Sequence, residues 1–329
     1  MDNLSDRNLQ TVGGFSRRRF LELTSATVCS SAMLGAGAAS AAGPPQRGPY
    51  KGELCLFSKP LPMLDWTHLA QAVKRMGFEG IDLTVRPEGH VLPERAIEDL
   101  PKAVAAIRAE GLAVPMITTA LTSASDPTAR PILSTAAKLG IHYFKAGYYQ
   151  YEYKDVRAEL EKAGRDFRGL VDLARECGIQ AGYHNHEGYV GGAVWDIARF
   201  IDPLDPKWAG YYFDPRHATA EGGGGAWKCA THLAANRLKM VAVKDFYWRK
   251  TGKGWEDENC PVGKGMVDWK YVFGVIAQTG FHGPISLHIE YEIPGANTED
   301  IVANTVAAGT RDLTFLKARL REAYEGSGQ

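Results

Sequence analysis

The sequence has no excess of either charge. Its 329 residues include 38 lysines and arginines against 38 aspartates and glutamates, so the formal net charge is zero. A nucleic-acid-binding protein normally carries a basic excess, and this balance therefore argues against nucleic acid as the partner. Cysteine is also scarce: the chain has five, which are too few for a disulfide-stabilised scaffold. The composition is that of an ordinary globular protein, long enough for one large α/β domain or two smaller ones.

The five cysteines are not spaced as zinc ligands. No two of them form a Cys-x-x-Cys pair, so their spacing predicts no structural zinc site. For the four that follow residue 41, buried free thiols are the favoured interpretation. A disulfide between Cys229 and Cys260 is the alternative, because both are expected in loop-rich regions.

The N-terminal segment is predicted to be a cleaved export signal. Arginines 17–19 precede a weakly apolar run at residues 23–42, and Ala39-Ser40-Ala41 has the small-x-small pattern of a cleavage site. The paired arginines followed by Phe20 and Leu21 resemble a Tat signal. A membrane anchor is the alternative, but the run is poor in Leu, Ile and Phe and would span poorly. Removing residues 1–41 leaves one excess negative charge, and we expect a periplasmic or other extracytoplasmic protein with no permanent membrane span.

One local pattern recurs along the rest of the chain. A helix-like stretch closes on glycine, a Phe, Ile or Leu follows, and a short apolar run comes next. Glycine suits the left-handed position that ends a helix, so each such site predicts a helix followed by a strand. The glycines in question are Gly77, Gly111, Gly140, Gly178 and Gly280. With three further apolar runs, the pattern predicts eight strands, at residues 54–58, 80–85, 114–118, 143–147, 181–186, 208–214, 238–245 and 285–291.

Eight strands alternating with helices favour a (β/α)₈ TIM barrel, for which ~250 residues are typical. A doubly wound sheet is the alternative, and it would normally carry a glycine-rich phosphate-binding turn after its first strand. The corresponding segment here, residues 58–62, reads Ser-Lys-Pro-Leu-Pro and contains no glycine. We therefore expect a single barrel domain at residues 53–322, a linker at 42–52 before it and a disordered tail at 323–329.

Polar residues end several of the predicted strands, where a TIM barrel carries its chemistry. His184 and His186 end strand 5 on a shared face, because side chains alternate along a strand. Asp214 ends strand 6, and Glu290 lies near the end of strand 8. Imidazole and carboxylate groups converging at one barrel mouth predict a divalent metal site. Each residue also has a structural alternative: a core histidine for His184, a turn cap for Asp214, and a pair with Lys244 for Glu290.

The chain from about Tyr50 to Leu320 resembles the sugar phosphate isomerase/epimerase family, which has a xylose isomerase-like TIM barrel. Within that family it looks similar to an exported, twin-arginine branch. The resemblance rests on six short motifs, namely Gly80-Ile81-Asp82-Leu83, Tyr183-His184-Asn185-His186, Phe213-Asp214-Pro215-Arg216-His217, Lys244-Asp245, residues 262–269 (VGKGMVDW) and Ile289-Glu290.

The resemblance implies one divalent ion, either Mn, Zn, Co or Mg, held by His184, Asp214 and Glu290. The family's further ligand, a histidine on strand 7, falls at Ala242, so one ligand is missing. Three protein ligands still form a competent catalytic site, because catalytic zinc commonly keeps an open position. The alternative is that Lys244 supplies a substitute cation, which weakens or abolishes metal binding by repulsion.

The reaction implied by this resemblance is metal-assisted proton transfer on a sugar, keto-sugar or polyol through an enediolate. Glu290 is expected to act as the general base, or as the metal ligand beside it. One glutamate base favours isomerisation, or β-elimination as in a lyase or dehydratase, over two-base epimerisation. The other catalytic candidates are His217, Lys244 and Lys145. The expected substrate-binding residues are His186, Arg86, Arg216 and Trp248.

Three other interpretations of the same residues stay open. A Schiff base on Lys244 or Lys145 would activate a carbonyl covalently. A non-catalytic sugar-binding barrel would explain Ala242, whereas an endonuclease is opposed by the charge balance and the export signal. The aromatic segment that begins at residue 246, with Trp248 in it, is either a lid over a sugar or a surface insertion.

Overall fold

The computed structural model describes residues 48–326, and in it eight parallel strands close into a barrel. The barrel strands are β1 (Leu54–Phe57), β2 (Gly80–Val85), β3 (Ala113–Thr119), β4 (Tyr143–Lys145), β5 (Gln180–His184), β6 (Ala209–Phe213), β7 (Leu238–Val243) and β10 (Ile285–Leu287). Neighbours in this series pair in order, and β10 pairs with β1 to complete the closure. Two further strands, β8 (Asp245–Thr251) and β9 (Gly254–Cys260), form an antiparallel hairpin between β7 and β10. The predicted TIM barrel is therefore confirmed.

Helices follow the strands around the barrel. They are α1 (Trp66–Met76), α2 (Ala96–Ala109), α3 (Ala129–Lys138), α4 (Val156–Cys177), α5 (Val194–Ile201), α6 (Pro215–Gly222), α7 (Ala226–Ala235), α8 (Trp269–Gln278) and α9 (Thr298–Glu325). Among the residues that the structure describes, none of these helices combines the length and the apolar character needed to cross a membrane.

The five glycines of the recurring pattern all adopt left-handed backbone conformations, with φ between 69° and 90°. In α4, the side chain of Asp155 caps the first turn by accepting a hydrogen bond from the backbone N–H of Ala158. The helix ends at Gly178, whose N–H donates to the carbonyl of Ala174. Since only glycine adopts this conformation without strain, these positions set where the helices stop and the strands begin.

Alternate residues of β6 show where the core lies. Tyr211 and Phe213 pack outward in the large cluster between strands and helices. Tyr212 points the other way and packs with Met116, Met240 and Ala242 in a small cluster inside the barrel. Ala242, the position at which the family has a metal-binding histidine, is therefore buried in an apolar layer of the barrel interior.

Several predicted boundaries differ from the observed ones. Strand β10 ends at Leu287, so Glu290 lies in the loop that follows it. The segment after β7 forms the β8–β9 hairpin, with Phe246 paired to Asn259. Cys229 lies exposed on α7, Cys260 is buried at the end of β9, and both are free thiols, so the alternative of a disulfide between them is wrong.

The C-terminal helix is longer than predicted. Helix α9 continues to Glu325, so residues 323–325, placed in the predicted disordered tail, are helical. Tyr324 explains this extension, because its ring is buried and its hydroxyl donates a hydrogen bond to the carbonyl of Phe281. The predicted leader at residues 1–41 lies outside the described residues, as do residues 42–47 of the linker and 327–329 of the tail.

Candidate active site

A cavity of about 110 Å³ opens at the carboxyl ends of the barrel strands. It lies where a TIM barrel places its active site, because the loops that follow the strands meet there. Its lining residues are Phe57, Lys59, Arg86, Thr118, Lys145, Tyr148, His184, His186, Tyr212, His288 and Glu290. Five of the residues predicted from the sequence are in this set, and Asp214, His217 and Lys244 lie directly beside it.

Asp214 serves two purposes with its two carboxylate oxygens. Oδ1 caps α6, accepting from the backbone N–H groups of Arg216 at 2.9 Å and His217 at 3.1 Å. The side chain of Asn185 fixes the Asp214 backbone through a reciprocal pair of hydrogen bonds. Oδ2 is thereby directed at the site, 3.1 Å from His184 Nε2 and 3.6 Å from His217 Nε2. The predicted capping role is therefore observed, and it leaves Oδ2 free to face His184 and His217.

His184, Asp214 and His217 form a donor set that fits a divalent metal ion. One donor atom from each lies within 4.8 Å of the others, and all three residues are buried. His217 Nε2 has no hydrogen-bond partner among the described residues, which is unusual for a buried polar atom. Burial lowers the pKa of His184 to about 3 and holds that of His217 well below its usual value. Both rings are therefore neutral near pH 7, as metal ligation requires.

This set differs from the predicted one, which had Glu290 in place of His217. The difference comes from α6, whose first turn returns His217 to the side of Asp214, three residues earlier. Glu290 is engaged elsewhere: its Oε2 lies 2.8 Å from Lys244 Nζ and its Oε1 lies 3.3 Å from Lys59 Nζ.

Lys244 bridges the two carboxylates of the site. Its ammonium lies 2.8 Å from Glu290 Oε2 and 3.4 Å from Asp214 Oδ2, and the side chain is buried. Burial alone would lower the pKa of Lys244, but Asp214 and Glu290 outweigh it and raise the pKa. Burial would likewise raise the pKa of Glu290, yet Lys244, His288 and Lys59 hold it well below its usual value. The site therefore contains an ammonium and two carboxylates in their charged forms.

The ammonium of Lys244 competes with any ion at Asp214 Oδ2. At an effective dielectric constant of 20, two unit charges 4 Å apart interact by about 4 kcal/mol. A divalent ion held by His184, Asp214 and His217 is therefore favoured when Lys244 turns fully toward Glu290. The geometry is therefore compatible with both interpretations drawn from the sequence: a metal ion at this cluster, or Lys244 as the cation in its place.

His186 and His288 extend the imidazole cluster. The His186 ring lies against that of His217 with 3.6 Å between centroids, and burial lowers the pKa of His186 to about 4. His288 was not singled out from the sequence. Its Nε2 is 2.9 Å from the hydroxyl of Tyr212, and its ring stacks on Phe57. The signal was available, because His288 precedes Glu290 by two residues in the same segment.

A hydrogen-bonded network forms the floor of the cavity. The buried carboxylate of Asp82 accepts hydrogen bonds from Thr118 at 2.8 Å, Ser286 at 2.9 Å and Tyr212 at 3.1 Å. Burial raises the pKa of Asp82, against the effect of these three donors. Because the donors come from β3, β10 and β6, the network ties opposite sides of the barrel together beneath the site.

Lys145 and Arg86 face the cavity, and neither is paired with a carboxylate among the described residues. Lys145 is 1 % exposed, and its ammonium lies 3.4 Å from the ring centroid of Tyr148. The Arg86 guanidinium lies 5.6 Å from the ring of Phe57. Within residues 48–326, neither forms an ion pair within 4.0 Å. Cation–π contacts contribute about 0.5–2 kcal/mol, less than the several kcal/mol that burying an ion costs. Accordingly, burial and then the charge of Arg86 hold the pKa of Lys145 well below its usual value.

Two predicted substrate-binding residues lie away from the cavity. Arg216 is buried, forms ion pairs with Glu187 and Asp257, and stacks over the ring of Phe246. It therefore ties the β8–β9 hairpin to the loop after β5. Trp248 is exposed on β8, and its ring lies nearly perpendicular to that of Phe246. Neither side chain lines the cavity.

The comparisons with known proteins agree with this architecture. The chain is 26% identical to an inosose dehydratase of Lacticaseibacillus casei over 151 residues, which cover 42% of this chain and 50% of that protein. This chain thus spans about half the length of that relative.

Two solved structures have a similar fold. A 3-keto-D-glucoside 4-epimerase from E. coli superposes with a TM-score of 0.61 at 16% identity, covering 82% of this chain and 100% of that one. A xylose isomerase-like TIM barrel protein from Mycobacterium smegmatis, solved in complex with magnesium, superposes with a TM-score of 0.57 at 16% identity, covering 80% and 98%. At this identity the likeness is one of fold. The profile described as "Xylose isomerase-like TIM barrel" matches residues 64–310, and the chain therefore belongs to that family.

Proposed function

We propose that the protein catalyses proton transfer at the carbon beside a carbonyl group, on a sugar, keto-sugar or polyol-derived ketone, through an enediolate. One observation carries this proposal. Glu290 is the single carboxylate among the described residues lining the cavity, and Lys244 connects it to Asp214. An ionised carboxylate at the mouth of a barrel can accept a proton from a bound substrate.

The position of Lys244 lets the site accommodate that proton. In the free protein, the ammonium is shared between Glu290 and Asp214. When Glu290 takes the proton and becomes neutral, Lys244 still has the carboxylate of Asp214 as its counter-ion. A buried cation without a partner is thereby avoided during the reaction.

The cluster of His184, Asp214 and His217 would hold a divalent ion through two neutral imidazole nitrogens and one carboxylate oxygen. When bound, such an ion supplies a Lewis acid for the substrate carbonyl. The hydroxyl of Tyr148, 3.1 Å from His184 Nδ1, orients that imidazole so that Nε2 faces Asp214. His186, which lines the cavity beside them, orients a hydroxyl of the substrate.

β-Elimination of water or of a glycoside from a keto-sugar is the second candidate. The dehydratase relative supports it, as does the presence of one carboxylate base at the cavity. In both candidates the first step is the same, since the base removes the proton beside the carbonyl. They differ in what leaves afterwards: isomerisation returns the proton to a neighbouring carbon, whereas elimination expels hydroxide or an alkoxide.

Deuterium exchange tests the shared first step. The purified protein, loaded in turn with Mn, Zn, Co or Mg, is incubated in D₂O with ketoses, 3-keto-glucosides and an inosose, and proton NMR follows the signal beside the carbonyl. We expect loss of that signal for at least one substrate, with isomer or dehydrated ketone as product. Glu290→Gln should abolish exchange, whereas Glu292→Gln, an exposed neighbour outside the cavity, serves as the matched control. Absence of exchange across the panel would favour a non-catalytic sugar-binding barrel.

A further inference from the structure

The cavity has two chemically different walls. One wall is a group of charged and imidazole side chains joined by hydrogen bonds and ion pairs. His184 ends β5, Asp214 and Lys244 directly follow β6 and β7, and Glu290 lies in the loop after β10. On the opposite side, Arg86 follows β2 and Lys145 ends β4, with β3 between them in the barrel. Both cations line the cavity. The first group is the wall where the proposed chemistry takes place.

The cations on the two walls differ in their partners. Lys244 and Lys59 both reach a carboxylate oxygen of Glu290. Arg86 and Lys145 meet no carboxylate within 4.0 Å in the described part of the chain. Each instead makes a cation–π contact, Arg86 with Phe57 and Lys145 with Tyr148. Asp82, whose negative charge acts on Lys145, already accepts hydrogen bonds from three hydroxyl groups. Among the described residues, Asp82 and Glu290 act on Lys145 only from beyond 4.0 Å, so no carboxylate is paired directly with either cation of this wall.

Buried charges in proteins are normally paired, because an unpaired ion loses its hydration without compensation. A lysine can respond by losing its proton, whereas the guanidinium of an arginine keeps its charge at every physiological pH. Lys145 is buried and Arg86 is half-buried, so the wall that these two side chains form is suited to a ligand that brings negative charge. Arginine in particular binds planar and tetrahedral oxyanions through two parallel N–H groups.

We propose that Arg86 and Lys145 form a subsite for an anionic substituent of the substrate, either the carboxylate of a sugar acid or the phosphate of a sugar phosphate. This inference rests on the proposed function in one respect only, namely that the substrate contains a sugar ring. The substituent would point to the wall formed by β2 and β4, which leaves the carbonyl carbon at the wall that carries Glu290 and Asp214. Arg86 and Lys145 would then determine specificity.

Binding measurements test this subsite without requiring turnover. Isothermal titration calorimetry compares three probes of matched ring: D-glucuronate, D-glucose 6-phosphate and D-glucose. We expect one of the two anions to bind at least about tenfold more tightly than glucose, a difference of about 1.4 kcal/mol. The preferred anion identifies the substituent as carboxylate or phosphate. Inorganic phosphate and acetate serve as competitors that carry the charge without the ring.

Substitutions then locate the contribution. Arg86→Gln and Lys145→Gln should each weaken the preferred anion about tenfold while leaving glucose unchanged, and Lys145→Arg should retain most of the affinity. Lys102→Gln, an exposed lysine on α2, is the control for net charge alone. The proposal is overturned if no anion binds more tightly than glucose, or if both variants weaken all three probes equally.

The two proposals fail in different ways. Anion binding that depends on Arg86 and Lys145, without deuterium exchange on any substrate, would refute the proposed reaction and keep the subsite. Exchange on neutral ketoses with no preference for anionic ones would do the reverse. A loss of turnover in Arg86→Gln with unchanged anion binding would also contradict the subsite, because the guanidinium would then act on charge that develops during the reaction.

Discussion

Lys244 Nζ lies 2.8 Å from Glu290 Oε2 and still reaches Asp214 Oδ2 at 3.4 Å, so one ammonium is shared by two buried carboxylates. The same oxygen of Asp214 faces His184 and His217, the other two members of the candidate metal site. Metal binding and the position of Lys244 are therefore coupled, and this coupling leads to the first prediction.

Lys244→Met should tighten the binding of Mn or Zn by about tenfold or more. The substitution removes a positive charge that lies 3.4 Å from Asp214 Oδ2 and competes with a metal ion for that oxygen. Two unit charges 4 Å apart interact by about 4 kcal/mol at an effective dielectric constant of 20. Titration against a fluorescent chelator measures the affinity, and elemental analysis gives the stoichiometry. Lys59→Met is the matched control, since Lys59 contacts Glu290 and not Asp214, and its effect should be small. Weaker metal binding in Lys244→Met would show that the ammonium does not compete.

Stability should fall as the pH decreases below about 6.5. The folded protein holds His186 with a pKa of about 4, whereas an unfolded histidine has a pKa near 6.5. Below 6.5 the unfolded chain binds a proton that the folded chain does not, so protonation favours unfolding. Between pH 7 and pH 5 this one group should remove about 2 kcal/mol from the free energy of unfolding. His184, with a pKa of about 3, should add a similar amount.

Guanidinium unfolding at pH 7 and pH 5 measures this loss. In His186→Gln, the drop between the two pH values should be smaller than in the wild type by about 2 kcal/mol. His142→Gln, at an exposed position, should leave the drop unchanged. If His186→Gln shows the same drop as the wild type, His186 is not held neutral in the folded protein.

Much of the site was predictable because parallel strands in a barrel all end at the same rim. That rule alone places His184, Asp214 and Glu290 together, and the structure brings them into one group linked by Lys244. Strand and helix boundaries followed from glycines such as Gly178, whose left-handed conformation is a local property of the chain.

The features that escaped prediction depend on contacts distant in sequence. Arg216 pairs with Asp257, 41 positions later, through a hairpin whose pairing no local pattern indicated. His288 is held in the site by its hydrogen bond with the hydroxyl of Tyr212, which is 76 positions away in the sequence. His217 was predicted as a catalytic candidate, but its place beside His184 and Asp214 in the metal donor set was not. That placement is local, because the first turn of α6 after the cap at Asp214 brings His217 back to the site.

Tyr212→Phe should destabilise the protein by about 1–3 kcal/mol. The hydroxyl of Tyr212 donates to Asp82 and also lies 2.9 Å from His288 Nε2, so its loss leaves a buried imidazole nitrogen with no partner. Chemical denaturation measures the change, and Tyr211→Phe provides the comparison. That hydroxyl contacts Asp202 at the barrel surface, where water can replace it, so a smaller effect is expected. Equal losses for the two variants would argue against a special role for the floor network.

Arg216→Met should loosen the β8–β9 hairpin. The guanidinium is buried between Glu187 and Asp257 and stacks on Phe246, so its removal leaves two acids without their cation and breaks the tie between hairpin and barrel. Because both acids are partly exposed, we expect a loss of about 2–4 kcal/mol, at or below the cost of breaking a fully buried pair. Limited trypsin digestion reports on the hairpin itself, since Arg249, Lys250 and Lys253 lie in or near its turn. Arg249→Met breaks an exposed pair with Glu258 in the same hairpin and should cost less than about 1 kcal/mol. Faster cleavage in Arg216→Met at Lys250 or Lys253 is the expected result, and unchanged cleavage would mean that β-sheet pairing alone holds the hairpin in place.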